Sequence, residues 1–103
     1  MLIRSIQSLF SIEKYTGRFI NAGYGEIKIG EYKKTLLLTY YNLKLLLIPK
    51  GGHRFSSHYW WEDEEGASPD GVGDVLFKFN YGALQSFQIP FEPRVKDIVF
   101  QKK

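Results

Sequence analysis

Tyr15-Thr16-Gly17-Arg18-Phe19-Ile20-Asn21-Ala22-Gly23-Tyr24-Gly25-Glu26-Ile27-Lys28-Ile29 reads as two short strands joined by a tight turn. Ala22-Gly23 supplies the backbone freedom for the turn, and Glu26-Ile27-Lys28-Ile29 alternates polar and apolar residues as a half-buried strand does. Six further strand-like runs follow. The predicted strands cover 17–21, 24–30, 34–41, 44–49, 53–60, 74–80, 83–89 and 96–102. In the sixth, Val75, Phe77 and Phe79 share one face while Lys78 and Asn80 take the other. Pro90 and Pro93 end the seventh, because proline cannot donate to a ladder. Eight short strands with short connections predict an all-β fold, an eight-stranded antiparallel up-and-down barrel. The first strand would pair with the last, so that no edge stays open. A two-sheet sandwich is the competing architecture.

Leu2, Ile3, Ile6, Leu9 and Phe10 recur at helical spacing. Residues 1–11 are therefore expected to form a short N-terminal helix, or a linker, ahead of a single barrel domain at 12–103. Ser11-Ile12-Glu13-Lys14 adds one turn before the first strand. The third and fourth strands break the alternation. Leu36-Leu37-Leu38 and Leu45-Leu46-Leu47-Ile48 are apolar at consecutive positions, so both faces need cover. One face meets the interior. The other, carrying Leu37, Leu46 and Ile48, is expected to be an outer contact patch, covered by residues 2–10, by a second copy or by a neighbouring domain.

Composition narrows the function classes. A chain of 103 residues makes one domain with a modest core. Without cysteine it has no disulfide and no thiolate metal site. The net charge of +3 hides an asymmetry, because six of the eleven acids and none of the fourteen bases lie between Glu62 and Asp74. The bases are spread along the chain, so nucleic acid is not an expected partner. No apolar run reaches the roughly 18 residues of a membrane span. The first ten residues, with one base and a broken apolar run, make a poor signal peptide, which points to the cytoplasm if the chain is a complete protein.

Candidate chemistry is sparse. Ser11-x-x-Lys14, Tyr40-Tyr41-Asn42 and Lys50-Gly51-Gly52 imitate, in order, the elements of a β-lactamase-like site. Such a site needs its serine and lysine on a buried helix of a large α/β domain, and here they precede a strand. His53 and His58, five residues apart on one strand, fall on opposite faces and share no metal or acid–base site. Glu62-Asp63-Glu64-Glu65 with Asp70 and Asp74 lacks the spacing of a calcium loop and reads as solvated. Phe55, Ser57, Tyr59 and Trp61 share the inward parity. His58 and Trp60 share the outward one, so Trp60 is expected as an exposed aromatic at the barrel mouth. His58, Trp60 and Trp61 are the candidate ligand or partner contacts.

Tyr15-Thr16-Gly17-Arg18-Phe19, Gly23-Tyr24-Gly25, Ile89-Pro90-Phe91-Glu92-Pro93 and Ile98-Val99-Phe100-Gln101-Lys102 resemble, in order and spacing over residues 12–103, a domain of unknown function. That domain is appended to the C-terminus of β-lactamase-like serine hydrolases of the class C penicillin-binding group. Its members are understood to adopt a lipocalin-like barrel, and Gly17-x-Phe19 is similar to the Gly-x-Trp opening of lipocalins. The resemblance implies a non-catalytic accessory or interaction domain, with the catalytic serine in a separate domain. The chain departs from the family where Pro49-Lys50-Gly51-Gly52-His53 replaces a His- and aromatic-rich strand, and no functional residue is carried over. The expected partner is a hydrolase domain or a second copy, met through the outer patch. The alternative is a free-standing barrel that holds a small apolar ligand. No cofactor and no metal are expected.

Overall fold

The opening hairpin forms as its alternation requires. Phe19 faces Ile27 across the first pair of strands, and both side chains are fully buried. In the computed structural model, which describes residues 8–60, 68–92 and 96–103, this hairpin opens an antiparallel meander. Its strands are β1 (Gly17–Asn21), β2 (Gly25–Tyr32), β3 (Thr35–Tyr40), β4 (Leu43–Gly51), β5 (Arg54–Tyr59), β6 (Asp74–Asn80), β7 (Ala83–Ile89) and β8 (Ile98–Lys102). Each strand pairs with its neighbour in sequence, and the sheet closes into a barrel. Phe19 and Ile20 pair with Lys102 and Gln101, and the Lys103 N–H donates to the Arg18 carbonyl. Closure is a backbone event. Among the described residues it leaves no edge strand for a second chain to extend.

The turns explain where predicted strand ends slip. In the first hairpin the positive φ belongs to Gly25, at +96°, rather than to Gly23. Asn21 Oδ1 organises the turn by accepting from the N–H groups of Gly23 and Tyr24 at 2.7 and 3.0 Å. Lys33 and Lys34 join β2 to β3 with φ of 46° and 67°, the left-handed pair that suits a two-residue hairpin. Neither residue favours that region. Replacing them with Asn-Gly is expected to stabilise the protein by about 1–2 kcal/mol, read as a raised urea midpoint at unchanged slope. An unchanged midpoint would mean that the two lysines carry no strain.

The N-terminal expectation is corrected in part. Residues 1–7 lie outside the described residues, so the predicted helix is visible only at its end, and Ser8–Phe10 there is not helical. The one turn before the first strand is present as a 3₁₀ turn, Ile12–Tyr15. The described segment does not cover the outside of β3 and β4. It plugs the end of the barrel, with the Leu9 N–H donating to the Gly52 carbonyl and Phe10 packed on Phe79, ring centroids 4.7 Å apart.

The interior is filled by the protein's own rings. Tyr15 is fully buried under the plug, within 4.9–5.2 Å of the rings of Phe55, Phe77 and Phe79. Phe19, Phe77, Phe87 and Phe100 continue this column, with Phe87 stacked on Phe100 at 5.3 Å. Leu36, Leu38, Leu45, Leu47, Ile27, Ile29, Val75 and Ile89 complete the wall. At the other end Phe91 stacks between Tyr24 and Tyr40, at 5.8 and 5.5 Å. Both ends of the column are therefore closed by aromatic groups. An eight-stranded barrel is narrow enough for side chains to fill, and this one uses bulky ones.

Candidate functional site

Because the column of rings occupies the middle of the barrel, the groups free to act on other molecules face outward. On β3, β4 and β5 the consecutive apolar residues put Leu37, Leu46 and His58 in one cross-strand row. Ile48 lies one row away, opposite Ser56. Leu37 and Leu46 are half-buried, while Ile48 is exposed. A further row, nearer the other end, holds Lys28, Thr39 and Lys44.

Trp60 does not stand free at the mouth. It is half-buried, its N–H donates to the Lys44 carbonyl, and its ring meets that of Tyr32 edge-on at 5.3 Å. Tyr32 ends β2 and Trp60 follows β5, so the ring pair reaches across the outside of the two strands between them. With Leu37 and Leu46 only half-buried and Ile48 exposed, the outer face still keeps apolar area open to solvent. Lysines flank the ring pair, with Lys33 Nζ and Lys44 Nζ each 5.5 Å from the centroids of Tyr32 and Trp60. Trp61 lies outside the described residues, as do Glu62 to Glu65.

His58 is tied into a local network. Its Nε2 lies 2.7 Å from Ser56 Oγ, and its Nδ1 lies 2.9 Å from the Ser68 carbonyl. The carbonyl can only accept, so Nδ1 carries a proton, while the Ser56 hydroxyl beside Nε2 also lies 3.4 Å from the Ile48 carbonyl as a donor. A serine, a base and an orienting acceptor thus stand in line, as a hydrolytic nucleophile needs. Among the described residues the backbone N–H groups beside the pair are engaged in the sheet rather than aimed at a developing oxyanion. The backbone of β5 pairs with β4 on one side and with β6 and residues 68–70 on the other. Spacing alone hinted at this pair, since residues two apart on a strand share a face.

His53 is the second histidine. It sits at the plugged end, with Nδ1 2.9 Å from the Tyr15 hydroxyl, which also accepts the Phe10 N–H at 3.1 Å. Asp74 is neutralised by Lys50 at 2.9 Å and Arg54 at 3.6 Å. Among the described residues no cluster of three potential metal ligands occurs, and no helix is long and apolar enough to cross a membrane.

Electrostatics also mark the closure seam. Lys103, just past β8, reaches over β1 to Glu26 of β2 at 2.8 Å. Its hydrogen bond, with Arg18 nearby, holds the Glu26 carboxyl below the ordinary carboxylate range. A carboxyl depressed by folding stabilises above its unfolded pKa, and that gain fades as pH falls through the lower folded value. Amide exchange in β8 is therefore expected to quicken as pH drops below about 4.5, beyond the intrinsic pH dependence of exchange, and Glu26→Gln is expected to remove that excess. Identical profiles for the two proteins would show that the pair carries nothing. Comparison of the chain with protein-family models, curated proteins and solved structures gives no match.

Proposed function

We propose that this barrel is a non-catalytic interaction module, of the lipocalin-like accessory type, that works through the outer face of β3, β4 and β5. One observation carries the reading: the interior is occupied by the protein's own aromatic column, while Leu37, Leu46, Ile48, Tyr32 and Trp60 gather outside it. A ligand-carrying barrel would need a cavity where that column stands.

The rim selects the kind of partner. Lys28, Lys33 and Lys44 surround the apolar rows, and a two-fold pairing of identical faces would set these lysines against one another. The occupant is therefore a different protein surface, apolar at its centre and acidic at its edge. A β-lactamase-like hydrolase domain is the partner that the family resemblance names. The chain alone is expected to sediment as a monomer and to form a one-to-one complex with such a domain from the same genome. Leu37→Lys with Ile48→Lys should weaken the complex at least about tenfold, and added salt should weaken it further. A dimer dispersed by Ile48→Lys, or a complex indifferent to both substitutions, would contradict the reading.

A further inference from the structure

On the opposite flank, β6, β7 and β8 frame an outward cleft of about 570 Å³. It arises from a bulge. The register shifts between Lys78 and Phe79, so that Gln85 is extra in β7 and the consecutive residues Ser86 and Phe87 are both buried. Ser86 is drawn down between its neighbours to 6% exposure. Its hydroxyl has no hydrogen-bond partner among the described residues and is not sealed from solvent, so it stays open to the cleft that Ser86 lines.

The groups around that hydroxyl have complementary chemistry. Lys78 and Gln101 flank Ser86 as its cross-strand partners, and all three line the cleft. Lys78 forms no ion pair among the described residues. His53 borders the same cleft. Its Nδ1 lies 2.9 Å from the Tyr15 hydroxyl, which also accepts from the Phe10 N–H. The adjacent row is apolar at both sides, with Leu76 and Val99 flanking Gln88, whose amide nitrogen donates to Asp97 at 3.2 Å. Asp97 precedes β8, so its carboxylate lies toward the end of the barrel away from Lys78.

We propose that this cleft binds a small organic carboxylate, head group on Lys78, Ser86 and Gln101, apolar body along Leu76 and Val99. One cation and two neutral donors match a singly charged head group. The Asp97 carboxylate excludes a second negative charge at the far end. The volume lies within the usual range of about 300–1,000 Å³ for small-molecule sites. This site is independent of the docking face on β3–β5 and stands or falls without it.

The test is a titration of the isotope-labelled chain with octanoate and, separately, with 1-octanol, followed by backbone amide shifts. Octanoate is expected to shift Lys78, Ser86 and Gln101 and to bind at least about tenfold more tightly than the alcohol, because hydrogen bonds to charged groups are the stronger ones. Lys78→Met should remove that preference. Ser86→Ala should weaken octanoate while leaving the fold's spectrum intact. Equal binding of the two probes, shifts confined to another face, full binding by Lys78→Met, or no shift up to about 10 mM would each overturn the proposal.

Discussion

Phe77→Ala is expected to destabilise the protein by about 3–5 kcal/mol. The ring is 2% exposed and sits at the crossing of the aromatic column. Its centroid lies 5.0 Å from Tyr15, 5.3 Å from Phe55, 5.6 Å from Phe87 and 6.3 Å from Phe19. Removing it takes away transfer energy and leaves a hole that four rings from three strands and the 3₁₀ turn cannot refill together. Small domains hold only about 5–15 kcal/mol in total, so the variant should be near unfolding at room temperature. Phe77→Leu, which keeps much of the volume, is expected to lose considerably less. Urea denaturation measures both. A loss below about 1 kcal/mol for alanine would mean that the column is not packed as described.

Ser57→Ala is the second large effect, expected at about 2–4 kcal/mol. Ser57 lies inward on β5 and is 5% exposed. Its hydroxyl donates to the Gly73 carbonyl at 2.6 Å and accepts from the N–H groups of Val72 and Gly73 at 3.0 and 3.1 Å. Alanine would leave two amide donors without an acceptor, at about 1–3 kcal/mol each when water cannot replace the bond. The same hub makes Gly71 irreplaceable, since a Cβ there would overlap the Ser57 carbonyl oxygen. Gly71→Ala should therefore release the same segment, and amide exchange at residues 70–73 should rise in both variants while β1–β3 stay protected. Uniform loss of protection along the chain, or none, would show that Ser57 does not hold this segment.

Much of the barrel was legible because period-two alternation and turn residues agree. Asp74–Asn80 and Ala83–Ile89 coincide with the predicted strands, since Val75, Phe77 and Phe79 share one face against Lys78 and Asn80 on the other and Tyr81-Gly82 carries the left-handed turn. The β2–β3 junction slipped by up to two residues, because Lys33-Lys34 takes a glycine-like conformation with no glycine to announce it. The outer rows of Leu37, Leu46 and Ile48 were visible as a failure of alternation. The ring pair beside them was not, because the Tyr32–Trp60 contact joins strands that are three steps apart in the sheet. No spacing rule encodes such a meeting; the twist and closure of the whole sheet create it. The cleft at Ser86 stayed hidden for a related reason. A bulge shifts the inward parity by one residue, and the sequence of β7 gives no sign of it.

Closure around a filled interior is most directly measured by nuclear Overhauser contacts between β1 and β8. A closed barrel predicts backbone contacts between Ile20 and Gln101, ring contacts between Phe19 and Phe87, and slow amide exchange on both strands. An open sheet or a sandwich would show none of these contacts, with rapid exchange along one side of β1 and β8, and that result would contradict both the barrel and the outward-facing function built on it.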